Sequence, residues 1–214
     1  MILQEINKRI IKFSETTENK KILDFGCGEN KYKKFFSEKN HFIGVDIKVS
    51  GRGLEKKKPD IFFDGISLPF ENSEFDIVIC TEVLEHVEDF ENSLNEIHRV
   101  LKPGGKGIIS MPFITSEHEE PFDFRRFTSF GINSEFKKAG FEIESLEKIL
   151  PGHNAIRQLL YSEMLQTENE NKINFFVKFF IKSIFRVSFR ILGYFYNFRR
   201  IYYDNFFIIK KINK

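Results

Sequence analysis

The stretch KILDFGCGENKY, residues 21–32, carries the reading of the fold. An apolar run ends in Asp24, and Gly26 and Gly28 follow with one residue between them. A nearly continuous apolar run of this length reads as a strand buried on both faces, as in a parallel sheet. The glycines then let backbone turn tightly and approach a bound molecule, because no Cβ intervenes. Backbone N–H groups after such a turn favour an anionic or polar ligand group.

Working outward, similar runs recur at HFIGVDI (41–47), DIFFD (60–64), FDIVIC (75–80) and GKGIISMPF (105–113). GFEIESLEKI (140–149) reads as a further strand, and NFFIIKKI (205–212) as a last one, antiparallel at the sheet edge. Helices are expected between strands at 30–39, 89–100 and 128–139. The second carries Phe90, Leu94, Ile97 and Leu101 on one face and stops at KPGG (102–105), a breaker and turn cluster. The N-terminal residues Ile2, Leu3, Ile6, Ile10 and Phe13 also recur at helical spacing. This order predicts an α/β, doubly wound, mostly parallel sheet with helices on both faces and its ligand at the carboxyl ends of the strands. The core is expected at 1–151 and 202–214. A helical insertion, basic and aromatic, is expected at 152–201.

Within 214 residues such a chain holds one full-sized core. Two cysteines, Cys27 and Cys80, cannot build a disulfide framework and fit a reducing, cytoplasmic setting. The net charge of +2 hides an asymmetry. From Lys172 to Lys214 there are ten Lys or Arg and one acid, leaving 23 bases against 30 acids elsewhere.

Acids stand at four strand ends: Asp24, Asp46, Asp64 and Glu82. An acid such as Asp46 after the second strand can accept bonds from ribose hydroxyls. A nicotinamide dinucleotide turn would place its third glycine at position 31, which is Lys31. An NAD-dependent oxidoreductase is therefore the weaker reading of this turn. Asp24 as a helix cap and Asp64 as a turn residue remain the plain structural alternatives.

LDFGCG, GVDI, DGISLPFENSEFDIVICTEVLEHV and EIHRVLKPGGKGIISMP, in that order and spacing, resemble a class I methyltransferase dependent on S-adenosylmethionine, over residues 20–150. The resemblance implies a Rossmann-like seven-stranded sheet with a reversed final strand. It implies that Asp24, Phe25, Gly26, Cys27 and Gly28 border the methionine part of S-adenosyl-L-methionine. It places Asp46 and Ile47 at the ribose, and Asp64, Gly65 and Ile66 at the adenine. Thr81 and Glu82 would line the floor near the reactive methyl. A third glycine is common in the family's first motif; here Asn30 stands in its place, a residue that tolerates a left-handed backbone. The implied activity is methyl transfer to a small-molecule, saccharide or lipid-linked acceptor. The alternative is a non-catalytic binding or membrane-associated scaffold that keeps the fold.

The acceptor side is expected in PFITSEHEEPFDFRRFTSFGINSEF (112–136). His118 is the candidate general base, needed only if the acceptor loses a proton. Glu82 and His86, four apart, would share a helix face toward the acceptor. Asp123 with Arg125 and Arg126 reads as an ion-paired loop. His86, His98 and His118 lack metal-ligand spacing such as HExxH, so no metal is expected.

In KINFFVKFFIKSIFRVSFRILGYFYNFRR (172–200), Lys178, Lys182, Arg186 and Arg190 recur every four residues opposite an aromatic and aliphatic arc. Four charges make a poor spanning segment but suit an interfacial helix on anionic lipid, at the inner membrane face. Packing on the sheet, roofing the acceptor site and forming a homodimer interface are the competing roles. The apolar arc is too broad for a nucleic-acid face.

Overall fold

The computed structural model describes residues 1–167, 183–184, 187–188 and 200–212. Helix α1 (Ile2–Ser14) precedes strand β1 (Lys21–Phe25). Strands β2 (His41–Ile47), β3 (Ile61–Phe63) and β4 (Phe75–Thr81) follow with only 3₁₀ turns and loops between them. Helix α2 (Phe90–Val100) leads into β5 (Leu101–Pro112), and α3 (Ser129–Lys138) into β6 (Phe141–Pro151). Helix α4 (His153–Thr167) and β7 (Tyr202–Lys211) complete the described elements.

The seven strands form one sheet in the order β3-β2-β1-β4-β5-β7-β6. β1 to β5 pair in parallel, and β7 runs antiparallel to both of its neighbours. The seven-stranded, largely parallel sheet with a reversed last strand is thus present. Successive residues of the central strands enter opposite cores, as the two-residue period of a strand requires. Leu23, Val78 and Ile109 pack with Leu94, Ile97 and Phe136 of α2 and α3. Ile22, Ile77, Ile79 and Ile108 pack with Ile6 and Ile10 of α1 on the other face.

Three expectations need correction. β7 does not lie at the edge: Gly107 to Pro112 of β5 pair one side and β6 pairs the other. Its residues Tyr202–Phe207 are all buried, and an edge position would have exposed the aromatic side chains among them together with a row of unpaired backbone groups. The expected helix over 30–39 is one 3₁₀ turn, Lys33–Phe35. Asn30 sits at φ 56° in a turn whose N–H donates to Cys27 O, and Phe36 already returns to extended backbone to pack on Phe42. KPGG does stop α2, but it lies inside β5 as an irregularity. The ladder jumps from Phe75–Leu101 to Ile77–Lys106, and Gly104 at φ 72° absorbs the extra residues.

Of the helical insertion expected over 152–201, α4 is described. Apart from four residues and its last one, the basic stretch 172–200 lies outside the described residues. No helix among the described residues is long and apolar enough to cross a membrane.

Candidate active site

The turn after β1 is held over β2. Gly26 N–H and Cys27 N–H both donate to Val45 O, at 2.9 and 3.0 Å. Gly26 and Gly28 take φ of 73° and 54°, and Asn30 repeats the left-handed geometry at 56°. Asn30 therefore supplies the conformation that a third glycine would. A Cβ on Gly26 would stand 2.5 Å from Val83 Cγ2. A Cβ on Gly28 would meet only Arg52 Nη1 at 3.6 Å, so it would project into open space.

That space is a cavity of about 380 Å³ at the carboxyl ends of β1, β2 and β4. Phe25, Gly26, Gly28, Asp46, Ile47, Asp64, Gly65, Ile66, Glu82 and His86 line it, so ten of the residues singled out in the sequence meet in one place. Loops 49–52 and 119–124 rim it and meet each other. Arg52 Nε donates to Glu119 Oε1 at 2.6 Å, and Gly51 lies so close to Glu119 that a Cβ would fall 2.2 Å from its carbonyl oxygen.

Asp46 is buried and organised. Its Oδ2 accepts from Gly28 N–H at 2.9 Å, and its Oδ1 accepts from Ile47 N–H at 2.7 Å and Lys57 Nζ at 3.0 Å. A carboxylate has about four lone-pair sites. Three are engaged, so one ribose hydroxyl can bind Oδ2 directly, while a second must share with Lys57. Lys57 was not legible in the sequence. It stands in the run EKKKPD, which reads as a solvated charge cluster, yet its side chain is 1% exposed and also donates to Ile47 O at 2.6 Å.

Asp64 Oδ1 accepts from Ile66 N–H and Ser67 N–H at 2.8 and 2.9 Å, and these bonds hold its carboxyl below the ordinary range. It is a turn residue that also borders the cavity, so the two readings of Asp64 coexist. Glu82 adopts φ 54°, a left-handed geometry unusual for a side chain of this kind, and its Oε1 accepts from Ser110 Oγ at 2.7 Å. Glu82 and His86 do not share a helix face. Leu84–His86 is a 3₁₀ turn, which brings both residues to the cavity by its tightness rather than by helical spacing.

Asp24, Cys27, Thr81 and His118 do not line the cavity. Asp24 is 1% exposed, its Oδ2 has no hydrogen-bond partner among the described residues, and burial raises its carboxyl to about 8. Cys27 Sγ packs beneath Gly44, where a Cβ would lie 2.9 Å away, and burial pushes its thiol up, so it is no thiolate nucleophile. Thr81 Oγ1 bonds Tyr32 OH at 2.8 Å. His118 sits on the loop outside the cavity, its N–H donating to Asp123 Oδ2, with its ring edge-on to that of His86 at 4.8 Å. Asp123 and Arg126 form the expected pair, bidentate at 2.5 and 2.6 Å. Arg125 instead clamps the backbone carbonyls of Val87 and Glu88 and lies over Phe90.

Two further buried acids were missed. Glu85 and Asp204 are fully buried, and burial raises both carboxyls well above the usual range. Neighbouring Glu82 pushes both further, because like charges disfavour ionisation. For Asp204 a signal existed, a lone acid within the aromatic run YYDNFF.

Residues 23–109 match the family described as a methyltransferase domain. Over those residues the chain is similar to that family. The chain is 34% identical over 151 residues to an uncharacterised protein of Methanocaldococcus jannaschii, covering 67% of this chain and 64% of that one. It is 33% identical over 109 residues to demethylmenaquinone methyltransferase of Staphylococcus saprophyticus, covering 46% and 47%. The chain therefore spans less than two thirds of the length of either relative. Among solved structures, phosphoethanolamine N-methyltransferase 2 of Haemonchus contortus, in complex with S-adenosyl-L-methionine, superposes at TM-score 0.58 with 21% identity. That match covers 98% of this chain and 53% of the other. At such identity the likeness shows the shared fold.

Proposed function

We propose that the protein is an S-adenosylmethionine-dependent methyltransferase acting on a small-molecule, saccharide or lipid-linked acceptor. The observation that carries this reading is the convergence of the Gly26–Gly28 turn, Asp46 and the Asp64–Gly65 turn on one cavity. The residues present fit the cofactor. Gly28 leaves open the volume that a Cβ would fill, and Asp46 Oδ2 keeps an acceptor site for a ribose hydroxyl. Gly26 and Gly28 would cradle the methionine part, with Asp24 beneath the turn as an anionic counterpart once it ionises. Ile47, Phe63 and Ile66 offer apolar surface for the adenine, beside Asp64.

When bound, the sulfonium supplies an activated methyl group. The chain's task is then alignment and exclusion of water, which together can contribute about 7–11 kcal/mol. Glu82, strained and held by Ser110, and His86 line the side of the cavity where an acceptor would enter. Burial lowers the pKa of His86 and keeps its imidazole neutral, so Nε2 can accept a proton or ligate an ion, but not both at once. His118 acts on His86 rather than on the acceptor. The demethylmenaquinone specificity of the Staphylococcus relative favours a small or lipid-linked acceptor.

Calorimetry with S-adenosylhomocysteine tests the reading. Micromolar binding is expected, abolished in Gly28→Val, whose side chain would fill the cavity. Absence of heat at millimolar ligand would leave the scaffold alternative standing.

A further inference from the structure

Beside the cavity, Glu85, His86 and His118 each present one ligand atom, and the three atoms lie within 4.8 Å of one another. We propose that these residues form a divalent transition-metal site at the acceptor mouth of the cavity. No metal-ligand spacing in the sequence points to it, because the ligands come from two segments: the 3₁₀ turn after β4 and the loop after β5.

Three independent features support a cation here. First, the Glu85 carboxyl is 0% exposed, and neither oxygen has a hydrogen-bond partner among the described residues. Its Oε1 lies 3.7 Å from His86 Nε2, which is also buried without a hydrogen bond. Unpartnered polar atoms in a protein interior demand an account, and an ion that links them is one. Second, both histidines carry the outer support of metal ligands. His86 Nδ1 is 2.7 Å from Phe122 O, and His118 Nδ1 is 3.1 Å from Ser116 O and 3.4 Å from Asp123 Oδ2. These acceptors put the proton on Nδ1 and leave Nε2 with its lone pair, which is how ligating histidines are oriented. Arg126 Nη2, at 3.5 Å from His118 Nδ1, is the longest of these contacts.

Third, the charges around the cluster do not balance. Glu82, Glu85, Glu119, Asp123 and Arg126 all act on it. Asp123 neutralises Arg126, and Arg52 pairs with Glu119. Among the described residues neither Glu82 nor Glu85 forms an ion pair with a Lys or Arg, although Lys31 and Arg126 act on them at longer range.

Two imidazoles and a carboxylate suit Zn²⁺, Co²⁺ or Fe²⁺ and leave coordination positions open. Ligand atoms around such an ion stand roughly 3.4 Å apart, since each bond is about 2.0–2.2 Å. Closing from 4.8 Å needs a shift of about 1.4 Å, which His118, on a half-buried loop, can make. His86 also lines the cavity, so the open positions would face an oxygen atom of the acceptor. That last role rests on the methyltransferase reading; the metal site itself does not.

The test uses tag-free full-length protein, stripped with chelator and titrated with Co²⁺ in the absence of any cofactor. Visible d–d absorption and metal analysis after dialysis should report one equivalent. His118→Ala and Glu85→Gln should each weaken Co²⁺ binding at least about tenfold. His41→Ala, on the exposed start of β2, should leave it unchanged. No Co²⁺ uptake by the wild type overturns the proposal, as does uptake that is equal in His118→Ala. The loop variant decides the matter even if Glu85→Gln fails to fold. Binding of S-adenosylhomocysteine, measured separately, distinguishes failure of this site from failure of the methyltransferase reading.

Discussion

At the scale of single residues, the turn after β1 answers to two kinds of constraint. Gly26 is required twice, by φ 73° and by Val83 2.5 Å from where a Cβ would stand. Gly26→Ala should destabilise the fold by about 1–3 kcal/mol, the range for overpacking, and denaturant titration would show it. An unchanged midpoint would mean that Val83 yields freely. Asp24 makes a prediction of the opposite sign. Its carboxyl is raised to about 8 in the folded chain from an ordinary value near 4. Between those pH values the unfolded chain loses the proton while the folded chain keeps it, so stability falls as pH rises from about 4 to 8 and is then level. Asp24→Asn removes that dependence. Its melting temperature should gain on the wild type steadily from pH 5 to pH 8, by an amount worth a few kcal/mol at about 1.4 kcal/mol per pKa unit. Parallel melting profiles would refute the buried, protonated Asp24. The glycines and strand-end acids were legible because backbone geometry and motif order act locally. Lys57 and Glu85 were not, because only tertiary burial distinguishes them from solvated charges, whereas Asp204 did carry a signal as a lone acid in YYDNFF.

At the scale of elements, every strand was legible: β1 and β4, buried on both faces, stay largely apolar over their length, and β3 is apolar although it is partly exposed at the edge. KILDF and HFIGVDI coincide with β1 and β2 residue for residue. The helix over 30–39 failed because its apolar residues serve separate ends: Tyr32 reaches Thr81, while Phe36 packs on Phe42. The place of β7 failed because an antiparallel partner is easy to read, but which gap it fills depends on distant strands. Its last residue shows how tightly that gap is specified. Lys211 Nζ donates to both His98 O and Leu101 O, at 2.7 Å each, capping the carbonyls where α2 ends. Lys211→Met keeps the stem and deletes both bonds. It should cost about 1–3 kcal/mol, the penalty for leaving such acceptors unsatisfied, and thermal denaturation would measure it. A smaller change than 0.5 kcal/mol would indicate that water replaces the ammonium.

At the scale of the molecule, an acidic body carries a basic, aromatic segment between α4 and β7. The described elements on either side of it in the sequence, α4 and β7, both pack against β6. The segment is covalently continuous with both, so whatever it binds is linked to the fold. We take its partner to be an anionic lipid surface, which would deliver lipid-linked acceptors to the cavity. Each Lys or Arg near such a surface contributes about 1 kcal/mol. Replacing Lys178, Lys182, Arg186 and Arg190 with Gln should therefore weaken flotation with phosphatidylserine vesicles by about a thousandfold in affinity. Neutral phosphatidylcholine vesicles should bind neither form strongly. If the wild type fails to float with anionic vesicles, or the neutralised variant floats equally well, the segment's charge serves packing or self-association. Sedimentation of the same two proteins without lipid then separates those outcomes, since a dimer interface would dissociate or tighten on loss of the four charges while intramolecular packing would leave the mass unchanged.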